Sequence, residues 1–480
     1  MKGVAPRHTG LKEATMPRRG ETSMRQILVL GAGQSTAFLV TKLLEEAGHE
    51  DWFVTVGDLN LAAARRRVKE HPRGNAIRFD VNDAELRSTQ IQRADVVINM
   101  LPASFLDLVA WDCLNHGRHM LSVSYRDQSI RDLDRDAKRK GVLLLCEMGL
   151  DPGIDHMSAM SLIHRIHADG GRIMGFRSYG SGIPAKDQES NPLQYVITWN
   201  PRNVVMAGFE GAQYMENKKI KIVPFHQVFQ HTWSVEVEGI GSLEAYANRD
   251  SMAYMETFGL QHVHTMIRGT LRYPGWSETW RQIVRLGLPT ETLRIPRLAD
   301  RTYGEVVRMF LPLNIQGAPM EQQLAQFLDI SPTGKIMENL RWLGLLSEER
   351  IGCKGSTGTD MLVHLLKTKL PLLPGLRDMV ILLHELDVEY PRSKRRPERI
   401  RSTMILESEG NGFTAMSQSV GLPVASAVKL LLCGKLPLTG SLLPTHPSIY
   451  APVLAELRQS GVVFVEKRET VTPTPERRQG

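Results

Sequence analysis

The chain has 480 residues, 42% hydrophobic and 23% charged, with a formal net charge of +7; single cores stop growing at roughly 250–300 residues, so two or three domains are expected. This balance excludes a disordered or fibrous chain, and no run approaches the roughly 18 uninterrupted apolar residues of a membrane span. The basic excess sits in tracts such as "AAARRR" (62–67) and "SKRRPER" (393–399), which read as solvated surface rather than a nucleic-acid stripe, and four scattered cysteines without a CxxC pair fit free thiols in a cytoplasmic protein.

Residues 1–24 are polar and lack the apolar core of a secretory signal, so they read as a flexible basic extension. From Arg25, "RQILVLGAGQSTAFLVTKLLEEAG" is a strand, a glycine turn and a helix. Strands follow at "WFVTVGD" (52–58), "AIRFDVND" (76–83), "ADVVINMLP" (94–102), "HMLSVSY" (119–125) and "VLLLCEMG" (142–149), separated by helical stretches. That alternation predicts an α/β fold with a Rossmann-type, doubly wound parallel sheet over 25–149. Residues 150–320 read as a mixed α/β substrate domain, 321–390 as mostly helical, 391–470 as a mixed segment returning to the earlier domains, and 471–480 as a tail.

The loop Gly31, Ala32, Gly33, Gln34, Ser35 opens the first helix, where a helix N-terminus and close backbone approach favour a pyrophosphate. Thr36 holds the third glycine position. Asp58 ends the second strand, placed to accept hydrogen bonds from ribose hydroxyls and to repel a 2′-phosphate. NAD is therefore expected ahead of NADP, with Arg65 to Arg67 leaving NADP as the alternative. Asp80 either contacts adenine or caps the next helix. Leu101 and Pro102 at the fourth strand end, with Ser124 and Tyr125 at the fifth, face the nicotinamide side of the crevice. The pairs in "HVHT" and "HRIHADGG" lack a completing acid or cysteine, so no metal is expected.

Between the halves lies "GLDPGIDH" (149–156). Physically it is a strand end, a Pro-Gly turn and an acid, Asp155, suited to N-cap the helix that follows. With "SYGSGIPAKDQESNPLQYVITWNPR" (178–202), "YANRDSMAY" (246–254), "RGTLRYPGW" (268–276), "LRDMVILLHEL" (376–386), "GFTAMSQSVGLP" (412–423) and "LLPTHP" (442–447), it resembles the glutamate-forming saccharopine dehydrogenases along nearly the whole chain from residue 25.

That resemblance implies hydride transfer from saccharopine to NAD(P) and hydrolysis of the resulting imine to glutamate and 2-aminoadipate 6-semialdehyde. Such a site needs cations for carboxylates and a group that moves protons. Arg249 in "NRDS" is the first candidate clamp, with Asp250 and Ser251 orienting it; Arg202 is a second, unless "NPR" is only a surface turn. Ser178, Tyr179 and Gly180 resemble the strand end lining nicotinamide and substrate, although the family commonly reads Ser-Tyr-Cys-Gly-Gly there. Ala103, followed by Ser104, stands where the family usually has a tyrosine, so a substrate-facing hydroxyl is missing. Tyr125, Asp151 and His156 remain unranked candidates for proton transfer. A homodimer acting on a small amino dicarboxylate is expected; the rival readings are a related reductive-amination enzyme such as carboxynorspermidine dehydrogenase, or a dinucleotide-binding protein without catalysis.

Overall fold

The computed structural model describes residues 24–471 apart from 189–190, 208, 314–318 and 411, so all but one residue each of the expected extension (1–24) and tail (471–480) lie outside the described residues. The first half builds six strands, β1 (Arg25–Leu30), β2 (Trp52–Asp58), β3 (Gly74–Arg78), β4 (Val96–Asn99), β5 (His119–Ser122) and β6 (Leu143–Leu145). All pair in parallel, in the order 6-5-4-1-2-3, which is the doubly wound arrangement. Two strands are shorter than their apolar runs. β3 stops at Arg78, and β6 stops at Leu145 because Glu147 takes a positive φ of 60° and turns the chain out of the sheet.

A second sheet is assembled from β7 (Arg172–Pro184), β8 (Ala212–Glu216), β9 (Lys219–Val223), β10 (Thr232–Val237), β11 (Gly241–Ala247), β12 (Arg249–Asp250), β13 (Thr265–Arg272), β14 (Asp378–Glu389) and β15 (Glu398–Glu407). Its main path runs 10-11-13-7-14-15. The region expected to be mostly helical up to residue 390 therefore ends in a long central strand. β14 is buried on both faces, and an apolar run of that kind carries no alternation to separate it from a helix.

Two late strands close the sheets. β16 (Gly440–Leu442) pairs with β6 at the edge of the first sheet, and β17 (Phe464–Thr470) pairs with β15 at the edge of the second. Between them, one continuous apolar core carries Val29, Leu39 and Leu145 from the cofactor half and Phe176, Leu382 and Met404 from the second sheet. The helix Ala415–Leu432 belongs to that core. It is long and apolar enough to cross a membrane, yet its apolarity is used inside the protein, where most of it is buried.

This helix is fixed at both halves. Asp378 at the start of β14 accepts the Ala415 and Met416 N–H groups at 2.8 and 3.0 Å, and Ser417 Oγ accepts the Phe38 N–H at 3.0 Å, in the first turn of the helix Thr36–Ala47. Gly421 lets the two helices meet, because a Cβ there would lie 2.8 Å from the Leu39 nitrogen. Backbone cannot retreat as a side chain does. Gly421→Val is therefore expected to cost about 1–3 kcal/mol of stability, read as a lower denaturant midpoint; an unchanged midpoint would refute this helix contact.

Candidate active site

The glycine loop fits a dinucleotide. Gly31 has φ 105°, and a Cβ there would sit 3.1 Å from the Met100 carbonyl oxygen, whereas at Gly33 nothing lies within 4 Å of that position. The following helix begins at Thr36, and Ser35, its N-cap residue, makes no side-chain cap; the Thr36 and Ala37 N–H groups turn back to the Gly33 and Gln34 carbonyls at 3.4 and 3.3 Å, so what the loop of Gln34 and Ser35 offers an anion is the positive end of the helix dipole. Asp58 is held in place at the end of β2, where its oxygens accept the Ala32 and Asn60 N–H groups, both at 2.7 Å. It shapes the loop. The cation here is Arg67, which donates to the carbonyls of Gly33 (2.8 Å) and Ala32 (3.3 Å).

Asp80 is exposed and accepts from its own loop, the Asn82 N–H at 3.0 Å, while Asp83 caps the next helix. Leu101 donates its N–H to Asn99 Oδ1 at 3.1 Å, and Pro102, Ala103 and Ser104 form an exposed turn at the carboxyl end of β4. Ser124 accepts the Glu147 N–H through its carbonyl at 3.1 Å, tying the β5 end to the turn after β6.

That turn holds the buried charges. Gly153, at φ 150°, allows it, since a Cβ would lie 2.0 Å from the Gly149 carbonyl oxygen. Asp155, read from sequence as an N-cap, instead lies inside the first turn of the helix Ile154–Ala168, whose cap residue is Gly153; its Oδ1 accepts the Gly153 N–H at 2.6 Å. His156 is fully buried, with Nε2 2.7 Å from Glu147 Oε2 and Nδ1 2.9 Å from Asp155 Oδ1. Tyr254 and Phe258 close over its ring edge-on at 5.1 and 5.4 Å. It is sealed from any substrate.

Facing this turn is Arg268 on β13, absent from the sequence candidates. Its Nη2 pairs with Asp151 and, at 3.0 Å, with Asp155, while its guanidinium lies 4.1 Å from the Tyr254 ring centre. Ser251, also fully buried, holds it from behind by accepting the Arg268 N–H at 2.9 Å. Asp151 rests against β7 at Gly180, where a Cβ would come within 2.5 Å of Oδ2. Burial pushes the Asp151 carboxyl up to about 6 even though Arg268 pulls it down. Burial disfavours the charged His156 ring, but Asp155 and then Glu147 overcome it and raise the ring to about 9.

The remaining candidates divide. Ser178 is buried beside Arg268 in register, on the same face of β7 as Gly180, but Tyr179 alternates to the opposite face, where its hydroxyl accepts the Trp233 Nε1–H at 3.2 Å. Arg249 stands over the Tyr125 ring at 5.0 Å with Glu210 at 3.4 Å, and its side chain is 43% exposed. Asp250 accepts the Met252 and Ala253 N–H groups at 2.8 and 3.3 Å, just ahead of the short helix Ala253–Thr257. Arg202 is not brought to this cluster: Glu291 and Asp360 neutralise it at another surface. The "NPR" turn thus serves structure, with Asn200 capping the helix Pro201–Val205.

A glycine loop on a doubly wound sheet, with an ionisable pocket at the carboxyl end of that same sheet, is how an oxidoreductase using a nicotinamide dinucleotide is built. Within that class the comparisons are specific: residues 27–145 match the saccharopine dehydrogenase NADP binding domain and residues 149–462 the saccharopine dehydrogenase C-terminal domain. The chain belongs to the saccharopine dehydrogenase family. It is 29% identical over 452 residues to the saccharopine dehydrogenase [NADP(+), L-glutamate-forming] of Schizosaccharomyces pombe, covering 92% of this chain and 99% of that one. To the alpha-aminoadipic semialdehyde synthase of Arabidopsis thaliana it is 30% identical over 485 residues, 93% of this chain but 45% of the plant protein, so it spans about half of that relative. The solved apo saccharopine dehydrogenase (L-Glu forming) from Saccharomyces cerevisiae superposes with a TM-score of 0.80 at 28% identity, covering 93% of this chain and 100% of that one. These matches favour NADP over the NAD put first on the strength of Asp58.

The turn itself is open to test. Gly153→Ala is expected to destabilise the protein by about 3 kcal/mol or more, because backbone must move, while Gly33→Ala leaves stability nearly unchanged. Equal denaturant midpoints for the two variants would contradict the packing described here.

Proposed function

We propose that this protein interconverts saccharopine with glutamate and 2-aminoadipate 6-semialdehyde, using NADP. The observation that carries the reading is Asp151: a carboxylate 18% exposed at the crevice, ion-paired to a buried guanidinium, with its proton affinity raised towards neutrality. The names of the relatives support the same substrate and cofactor.

When bound, the nicotinamide accepts the hydride from the carbon next to the substrate nitrogen. Asp151 has the proton work: it takes the proton from the substrate amine before the hydride leaves and releases it to solvent, then takes a proton from the water that adds to the iminium carbon and gives it to the nitrogen as the carbinolamine collapses to aldehyde and amine. Arg249, partly exposed beside Tyr125, grips a substrate carboxylate bidentately, and Glu210 gives way to it. Arg67 beside the glycine loop holds the 2′-phosphate that distinguishes NADP. Four free thiols, two of them buried, fit a reducing compartment such as the cytosol. One observation keeps a second reading in view: Ala103 has no hydroxyl of its own at the exposed turn after β4, leaving that of Ser104, which suits a related reductive-amination substrate with one polar group fewer.

Absorbance of the reduced nicotinamide, followed with saccharopine and either NADP or NAD, tests the reaction. Turnover with NADP and release of glutamate are expected; no turnover with either cofactor would sink the reading. Asp151→Asn should lower kcat/KM by about 10²–10⁴-fold. In the unsubstituted enzyme kcat/KM should fall below pH of about 6, as Asp151 takes up a proton and ceases to be a base. Arg67→Ala should raise KM for NADP by roughly ten- to a hundredfold and leave NAD nearly unaffected; equal loss with both cofactors would remove Arg67 from phosphate recognition.

A further inference from the structure

The buried charges behind Asp151 form a single file. Glu147 Oε2 meets His156 Nε2 at 2.7 Å, His156 Nδ1 meets Asp155 Oδ1 at 2.9 Å, Asp155 Oδ2 meets Arg268 Nη2 at 3.0 Å, and the same Nη2 meets Asp151 Oδ1. Their side chains are 5, 0, 3 and 3% exposed, against 18% for Asp151, so only one end of the file reaches the crevice. With Glu147 and Asp155 each within ion-pair distance of one ring nitrogen, the His156 ring is raised to about 9 and is therefore a cation at neutral pH. Reading inward from the crevice, the signs alternate: acid, base, acid, base, acid.

We infer that Glu147, His156, Asp155 and Arg268 are positioning residues forming a charge ladder that sets the proton affinity of Asp151, each rung acting with the opposite sign to the one before. The inference rests on Asp151 being the group that exchanges protons with substrate. Each rung is held in a water-poor interior, where Coulomb interactions reach beyond the first neighbour. Arg268 and His156 lower the proton affinity of Asp151; Asp155 and Glu147 raise it. The ladder is neutral without Asp151, two acids against two bases, which is what allows it to be buried at all.

The other groups around Asp151 do not blur these signs. Burial keeps the Tyr125 and Tyr254 hydroxyls protonated and uncharged. His384 on β14, bonded to Ser158 Oγ at 2.8 Å and stacked on Phe464, is kept neutral by burial, its ring pushed down to about 4. Arg249 stands on the crevice side and is a constant cation. A role in folding alone would make every rung behave alike on replacement; a ladder makes neighbouring rungs behave oppositely.

The test is the pH dependence of kcat/KM for saccharopine oxidation with NADP, with NADPH binding measured by fluorescence in every variant to show that the cofactor half is folded. Glu147→Gln should move the acid limb to lower pH, by roughly half a unit. His156→Gln and Arg268→Gln should move it to higher pH, the latter by roughly one to three units as a contacting cation is lost, and Arg268→Lys should bring it back towards the original position. Limbs that all move the same way, or rates that fall with the limb in place, overturn the ladder. If His156→Gln fails to bind NADPH, the opposite signs of Glu147→Gln and Arg268→Gln decide the matter. Asp151→Asn is the separate control: the limb should vanish, and a limb that persists there sinks the assignment of Asp151 itself, and the ladder with it.

Discussion

Everything in this pocket depends on keeping one guanidinium out of water. An uncompensated buried charge costs several kcal/mol, so Arg268 is over-determined: two carboxylates on one nitrogen, an aromatic face beneath it, and a serine on its backbone N–H. These partners come from the turn after β6, from the helix Ala253–Thr257 and from the residue preceding it by two positions. One side chain on β13 thus pins two segments that are far apart in the chain, the turn after β6 and the stretch from Ser251 to Tyr254. The tight octapeptide turn, with its glycine contact to Gly149, is the shape that delivers both aspartates to the same side.

The alternation of β7 gives that pocket a floor. Gly180 leaves room for Asp151 on one face, while Tyr179 and Ser181 pack into or bond across the opposite side, the tyrosine to Trp233 and the serine to the Leu271 carbonyl. A side chain at 180 would displace the carboxylate. The absence of the bulkier residue that the family commonly carries at this place therefore has a local geometric partner in the position of Asp151.

Much of the cofactor half was legible in the sequence, because its strands, glycine turn and helices are local and repeat at short intervals. The second half was less so. β14 reads as an apolar run, and its strand neighbours lie far away along the chain. Arg268 was missed although "TMIRGTLR" shows it: a charge in the middle of an apolar strand must have a partner. The partners stand 117 and 113 residues earlier, beyond the reach of any spacing argument. Asp58, legible at its strand end, also accepts from the loop backbone, a contact that spacing does not show. Arg202, the second candidate clamp, is ion-paired to Glu291 and Asp360, partners that stand far along the chain where spacing does not reach.

The return of the chain through β16 and β17 has a bearing on synthesis. β16 completes the edge of the cofactor sheet beside β6, and β17 completes the edge of the second sheet beside β15. While residues 440–470 are still inside the ribosome, both sheets present bare edges whose N–H and C=O groups will pair with any strand that offers itself. Both halves therefore wait for this same late stretch to close their edges, and they mature together rather than one after the other.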